Sequence, residues 1–177
     1  MTVNAMTDIC VAVLVSIAGV SDIRSRRIPN WLTLSGVCAG LALNAATAGY
    51  TGLLRSAAGM LLGFGAYLVL YCLRAMGAGD VKLMAAVGAI VGPAGWIAVF
   101  FGTAIAGGLL ALGLVIFKRR LRETLWNAWF IVSELVHFRA PYKQRSDLDV
   151  KDGRSLKMPH GVAIAAGTAA VLLLARV

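Results

Sequence analysis

The stretch GAGDVKLMAAVG, residues 77–88, sets one carboxylate and one amine among small apolar residues. The apolar run after Asp80 is typical of a membrane helix, where an ionisable side chain is costly and therefore indicates function. Gly77 and Gly79 interrupt the preceding helix, and we expect Asp80 to cap the next one. Because glycine has no Cβ, an extended peptide could approach the backbone closely here. The stretch predicts a functional acid at the end of a membrane helix.

The whole chain has the composition of an integral membrane protein. Of its 177 residues 59% are hydrophobic and 14% are charged, with a mean hydropathy of +0.81, which lies outside the range of soluble proteins. Apolar stretches that suit a helical crossing cover residues 5–21, 31–48, 53–73, 81–92, 96–117 and 159–175. They lack the period-two alternation of a barrel. We expect an all-α polytopic bundle of about six transmembrane helices, forming one domain over residues 1–177.

Basic residues are distributed unevenly between the connections of this bundle. The net charge is +9, and 15 of 17 Lys and Arg lie in the loops after the first, third and fifth spans, leaving only Arg55 and Arg176 in the alternate loops. The positive-inside rule then predicts both termini outside the cytoplasmic (inner) membrane and three basic loops in the cytoplasm. The charge is a topology signal and a predicted contact with anionic lipid headgroups, and it does not indicate a nucleic-acid partner.

The longest loop covers residues 118–157. Its segment LRETLWNAWFIVSELVHF, residues 121–138, places apolar residues on one helical face and polar residues mainly elsewhere. Two Glu, an Arg and a His argue against a seventh span. We expect an interfacial amphipathic helix on the cytoplasmic side.

The connection after the first span, SDIRSRRIPN, occupies residues 21–30. Asn30 follows Pro29 directly before an apolar run, so we expect it to cap a second helix that starts near Trp31. Asp22 lies at the end of the first helix on the predicted cytoplasmic side. Among eight acidic residues, only Asp22 and Asp80 lie at helix ends on that side.

Although Asp22 and Asp80 are far apart in sequence, topology puts both on the same side of the bundle, where packing can bring them together. Two neighbouring carboxylates share a proton and so offer a base and an acid at once. In aspartyl proteolysis the ionised partner deprotonates a water, while the protonated partner polarises the peptide carbonyl. The pair therefore predicts hydrolysis of a peptide bond.

These segments resemble the type IV prepilin peptidase family, intramembrane aspartyl proteases that share a Gly-x-Gly-Asp motif with presenilin-like enzymes. Gly77, Gly79 and Asp80 followed by VKLMAAVG resemble the second catalytic segment of the family, and SDIRSRRIPN resembles the first. The resemblance implies that Asp22 and Asp80 are catalytic. It implies that Pro29 and Asn30 close the first loop. The stretch MPHGVAIAAG, residues 158–167, resembles a Pro-x-Gly segment in the last span of the family.

Two departures from the larger family members refine this expectation. Those members carry a cytoplasmic insertion with Cys-x-x-Cys zinc motifs and also methylate the new N-terminus, whereas Cys10, Cys38 and Cys72 stand alone in this chain. The short form resembles the peptidases of Flp-type, tight-adherence pili, or their archaeal counterparts, so we expect neither methylation nor a metal or other cofactor. His160 stands where the family resemblance leads us to expect an aromatic residue.

The resemblance also implies the substrate. It would be a prepilin or pseudopilin whose basic leader stays in the cytoplasm and whose hydrophobic helix lies in the membrane. Since the enzyme is itself basic, we assign contacts with the leader to the acidic residues of the long loop, Asp147, Asp149 and Asp152. The oligomeric state is left open.

Plainer interpretations stand beside these. Asp80 could simply cap a helix, and Asp22 could pair with Arg24 or Arg26. Lys82 could position substrate, but we expect it to extend towards the headgroups. For His160 an interfacial hydrogen bond is the alternative to a place beside the acids. A small ion-coupled carrier and a non-catalytic pilus-assembly subunit are the alternative functions.

Overall fold

A computed structural model of the chain describes residues 3–74, 76–117 and 160–174. In these ranges it contains four helices, α1 (Val3–Ser25), α2 (Asn30–Cys72), α3 (Ala78–Phe117) and α4 (His160–Leu174). The first three are long and apolar enough to cross a membrane, while α4 is a shorter apolar helix. The prediction of an all-α fold is confirmed for these ranges, and three of the helices could span a membrane.

The expected count of about six separate helices is not what the structure shows, since the described ranges form four. The connections implied by the ends of the second and fourth apolar stretches are breaks inside continuous helices of 43 and 40 residues. In α2 the break falls at Ala48 and Gly49, and in α3 it falls at Gly92, just before Pro93. Gly49 and Gly92 have φ values of 58° and 74°, a left-handed conformation that glycine adopts without strain. No loop is needed at either point.

The two halves of α2 lie against the same part of α3. A Cβ built on Gly40, in the first half, would be 2.6 Å from the carbonyl carbon of Ala89. A Cβ built on Gly59, in the second half, would meet the carbonyl oxygen of Gly88 and lie 2.8 Å from Gly92. On a straight helix Gly40 and Gly59 would be about 28 Å apart. The chain therefore folds back at the break in α2.

The break in α3 has the same effect. Met84 precedes it and Trp96 follows it, yet both contact Gly63 of α2, where an added Cβ would be 2.8 Å from Trp96 Nε1. A straight helix would separate Met84 and Trp96 by about 18 Å. The two halves of α3 consequently lie side by side against α2.

Side chains of α2 replace the hydrogen bond that Pro93 removes from α3. Proline has no N–H, so the carbonyl of Ala89, four residues earlier, lacks its helical donor. Ser56 Oγ donates to that carbonyl at 2.6 Å, and Asn44 Nδ2 lies 3.1 Å from the carbonyl oxygens of both Ala89 and Ile90. The break in α3 is thus stabilised from two points of α2.

The first half of α3 is the centre of the bundle. From Asp80 to Ile90 every residue except Lys82 is buried. Apolar side chains on the outer faces of α1, α2 and the second half of α3 are exposed, as expected of helices that face lipid. α4 packs against α1 and against the second half of α3, where Gly167 contacts Thr103. Asp80 therefore lies at one end of the most buried segment.

The predicted amphipathic helix and the rest of the long loop, residues 118–157, lie outside the described residues. The same holds for the leader contacts assigned to Asp147, Asp149 and Asp152.

Candidate active site

The last turn of α1 is held in place by its own backbone and serines. Arg26, just beyond Ser25, has a φ of 50°, and its N–H donates a 2.9 Å hydrogen bond to the carbonyl of Asp22. Ser21 Oγ donates to the carbonyl of Arg27 at 2.9 Å, which ties the following loop back to the helix. These bonds fix the turn that carries Asp22, whose side chain is only 9% exposed.

The carboxylate of Asp22 meets the beginning of α4. Its Oδ2 accepts a 2.8 Å hydrogen bond from the backbone N–H of Gly161. The first N–H groups of a helix have no partner within the helix, and a carboxylate satisfies one of them favourably. A Cβ on Gly161 would lie 3.0 Å from both Cβ and Oδ2 of Asp22. The approach of the two helices therefore depends on a glycine at this position.

Asp80 lies in the first turn of α3, inside the helix, and not directly before it as a cap residue would. The helix begins at Ala78, and Asp80 reaches back so that its Oδ2 accepts a 3.2 Å hydrogen bond from the N–H of Gly77. The N–H of Asp80 in turn donates to the carbonyl of Gly77 at 3.2 Å. This reciprocal pair is similar to the inner half of a capping box. Both acids are therefore bonded to backbone N–H groups at the N-terminal end of a helix.

The structure brings Asp22 and Asp80 together at one end of the bundle. Asp80, like Asp22, is 9% exposed. The carboxylate of Asp80 is close enough to interact electrostatically with Asp22 and His160. It also interacts electrostatically with the buried hydroxyl of Tyr67. Four polar side chains from four helices thus share one site, of which three were considered in the sequence analysis.

The two sequence segments that carry the acids are also in direct contact. A Cβ on Gly79 would be 3.3 Å from Cβ of Ile28, so the Gly-x-Gly-Asp backbone lies against the loop after α1. Lys82 Nζ donates a 2.9 Å hydrogen bond to Asn30 Oδ1. Asn30 is not the cap of α2 that the sequence predicted, because α2 begins at Asn30 and Pro29 precedes it without a side-chain cap bond. Its side chain binds the lysine instead.

His160 lies at the end of a row of aromatic rings. The centroid of its ring is 6.5 Å from that of Tyr67, which is 1% exposed. Tyr67 packs edge-on against Phe100 at 6.2 Å, and Phe100 stacks on Trp96 at 5.3 Å. Within the part of the chain that the structure describes, the buried Nε2 of His160 has no hydrogen-bond partner.

Sequence reasoning missed Tyr67 and the role of Gly161. Tyr67 is a single aromatic residue inside an apolar span, and no pattern marks it. Gly161 belongs to the MPHGVAIAAG stretch, whose Pro-x-Gly spacing was a signal for a close approach of backbone at this point.

The chemistry available at this site is that of two carboxylates. A buried pair can hold one proton between them and so provide a general base and a general acid. Residues 3–74, 76–117 and 160–174 contain no group of three or more His, Cys, Asp or Glu that could hold a metal ion.

Fold and site together define a helical membrane protein with two neighbouring carboxylates at one end of the bundle. The model of the type IV leader peptidase family matches residues 9–112, more than half of the chain and the part that carries both acids. The chain belongs to this family of peptidases, and the family predicted from the sequence is confirmed. No curated protein and no solved structure matches the chain.

Proposed function

We propose that the protein is an intramembrane aspartyl endopeptidase that removes the basic leader from Flp-type prepilins or pseudopilins. The observation that carries the proposal is the meeting of Asp22 and Asp80. They come from α1 and α3, are both nearly buried, and interact electrostatically although 57 residues of chain separate them. Membership of a leader peptidase family supplies the class of substrate.

In the reaction one carboxylate deprotonates a water molecule, which attacks the carbonyl carbon of the scissile peptide. The other carboxylate begins protonated, polarises the carbonyl oxygen, and then donates a proton to the leaving amine as the C–N bond breaks. The hydrogen bonds from Gly161 and Gly77 hold one oxygen of each carboxylate, leaving the other oxygen of each for water and substrate. Burial protects the pair from bulk solvent.

The site belongs at the cytoplasmic face under this proposal. Four arginines lie within eight positions of an acid in sequence, as the positive-inside rule requires of a cytoplasmic end: Arg24, Arg26, Arg27 and Arg74. Under the proposal α1, α4 and each half of α2 and α3 cross the membrane, so that the chain crosses it six times with both termini outside. Anionic lipids would contact the same basic end.

The proposed substrate follows from this position. The hydrophobic helix of a prepilin would lie in the bilayer beside the bundle, with its leader in the cytoplasm and the scissile bond at the level of the acids. We assign no methylation to the protein, in keeping with the isolated positions of Cys10, Cys38 and Cys72 in its sequence.

The test replaces each acid by its amide in the full chain, as Asp22→Asn and Asp80→Asn, and follows conversion of a candidate Flp-type prepilin by gel mobility in membranes. Asparagine keeps the shape and removes the acid, so either change alone should abolish cleavage. Asp8→Asn is the matched control, because Asp8 lies in α1 about 21 Å from Asp22. Continued cleavage by both amide variants would overturn the proposal, and pH-dependent ion flux through the wild type would favour a carrier.

A further inference from the structure

We propose that His160 is a further catalytic residue, which donates a hydrogen bond from Nε2 to a backbone carbonyl of the bound prepilin at the scissile bond. This inference rests on the proposed peptidase function. It assigns a role to a side chain that the two-carboxylate reaction does not use.

The first observation is the position of His160. It opens α4, and the next residue, Gly161, donates its N–H to Asp22. The imidazole itself interacts electrostatically with Asp80. One turn of α4 thus binds Asp22 and places an imidazole close enough to act electrostatically on Asp80. Under the proposal a peptide held between the two acids passes close to this ring.

The second observation is that Nε2 of His160 is buried and has no hydrogen-bond partner among the described residues. A buried polar atom without a partner is costly and is rare unless a ligand uses it. Asp80 is near enough to act on the ring electrostatically, yet its hydrogen bond goes to Gly77. Nε2 is therefore not occupied by the acids, and a peptide carbonyl is the acceptor that a substrate would bring.

The third observation is that the His160 ring packs against a buried aromatic residue. Tyr67, 1% exposed, packs at 6.5 Å from it, and Phe100 and Trp96 continue the row. Such packing restricts the orientation of a side chain before substrate arrives, which is what makes a hydrogen-bond donor effective in a transition state. Nε2–H would stabilise the negative charge that develops on the carbonyl oxygen during attack.

Two variants of the full chain test the inference. His160→Phe keeps a ring to pack against Tyr67 and removes the donor, whereas His160→Gln keeps a neutral N–H donor near the place of Nε2 and removes the titratable ring. We expect kcat/KM for a candidate Flp-type prepilin to fall about tenfold to a hundredfold in His160→Phe and to recover at least partly in His160→Gln. Both are measured on purified protein in liposomes across a range of pH.

The outcomes separate a donor from the alternatives. Recovery in His160→Gln, with a pH profile governed by the carboxylates as in wild type, supports donation to substrate. If His160→Gln is as slow as His160→Phe and its pH profile is displaced, the ring acts through its charge on Asp80 and the inference is wrong. Wild-type activity in His160→Phe would also overturn it. Failure of the proposed function itself would show separately, as cleavage that survives Asp22→Asn and Asp80→Asn.

Discussion

The N–H of Gly161 donates a 2.8 Å hydrogen bond to Asp22 Oδ2 across 139 positions of sequence. Through this bond α4, the last described helix, fixes a carboxylate that belongs to α1. The bond is buried, so water does not compete for it. The position of Asp22 relative to Asp80 is consequently set by the packing of α4 as much as by α1.

Gly161→Ala should reduce cleavage without preventing insertion of the protein. The added Cβ would lie 3.0 Å from Asp22 Oδ2 and must displace the carboxylate. A displacement of this kind is expected to slow the reaction by about a hundredfold. Prepilin conversion in membranes measures the effect. Gly108→Ala is the control, because a Cβ at Gly108 meets nothing within 4 Å. Equal rates for the two variants would contradict the prediction.

Gly59→Ala and Gly88→Ala should destabilise the contact between α2 and α3. Each added Cβ would meet the backbone carbonyl of the other glycine, and backbone cannot move aside as a flexible side chain can. Overpacking of this kind costs about 1–3 kcal/mol. The midpoint of thermal unfolding in detergent should fall for both variants, while Gly65→Ala, at a position with open space in α2, should leave it unchanged. An unchanged midpoint in Gly59→Ala would contradict the prediction and show that α2 and α3 can move apart at this contact without loss of stability.

Some features of this architecture can be predicted from the sequence, and others cannot because they depend on contacts between helices. Charge distribution is enough to predict that Asp22 and Asp80 lie at the same end of the bundle, because each basic loop reports locally on its own side. Gly92 and Pro93, between two apolar stretches, are enough to predict an interruption there. Its stabilisation is not predictable in this way, since the donors, Ser56 and Asn44, come from a different helix. The contacts of Tyr67 with Phe100 and His160 likewise depend on how α2 packs against the other helices. The hydrophobic pattern of the sequence does not predict them.

Ser56→Ala should lower the stability of the protein, because it removes a hydrogen bond to the break in α3. Ser56 is fully buried, and its Oγ donates a 2.6 Å hydrogen bond to the carbonyl of Ala89. This bond replaces the helical one that Pro93, which has no N–H, cannot donate. Asn44 still donates to the same carbonyl, so we expect a loss of about 1 kcal/mol, and a larger loss in the double variant Ser56→Ala, Asn44→Ala than in either single one. Detergent unfolding checks this. If Ser56→Ala is as stable as wild type, Asn44 alone satisfies the carbonyl of Ala89 and the prediction is wrong.

Lys82→Met and Asn30→Ala test whether Lys82 acts on Asn30 or on the substrate. The 2.9 Å bond between them joins α3 to the start of α2 next to the site, and it is exposed, so its contribution to stability should be below about 1 kcal/mol. If Lys82 serves to align the two segments, each single variant and the double variant should lower prepilin cleavage by the same factor, of about twofold to fivefold. Methionine keeps the length of the lysine stem and removes its donors. If Lys82 contacts the substrate directly, Lys82→Met should lower cleavage far more than Asn30→Ala, and the two effects should multiply. The ratio of cleavage rates in the four proteins therefore separates a positioning lysine from one that binds the prepilin.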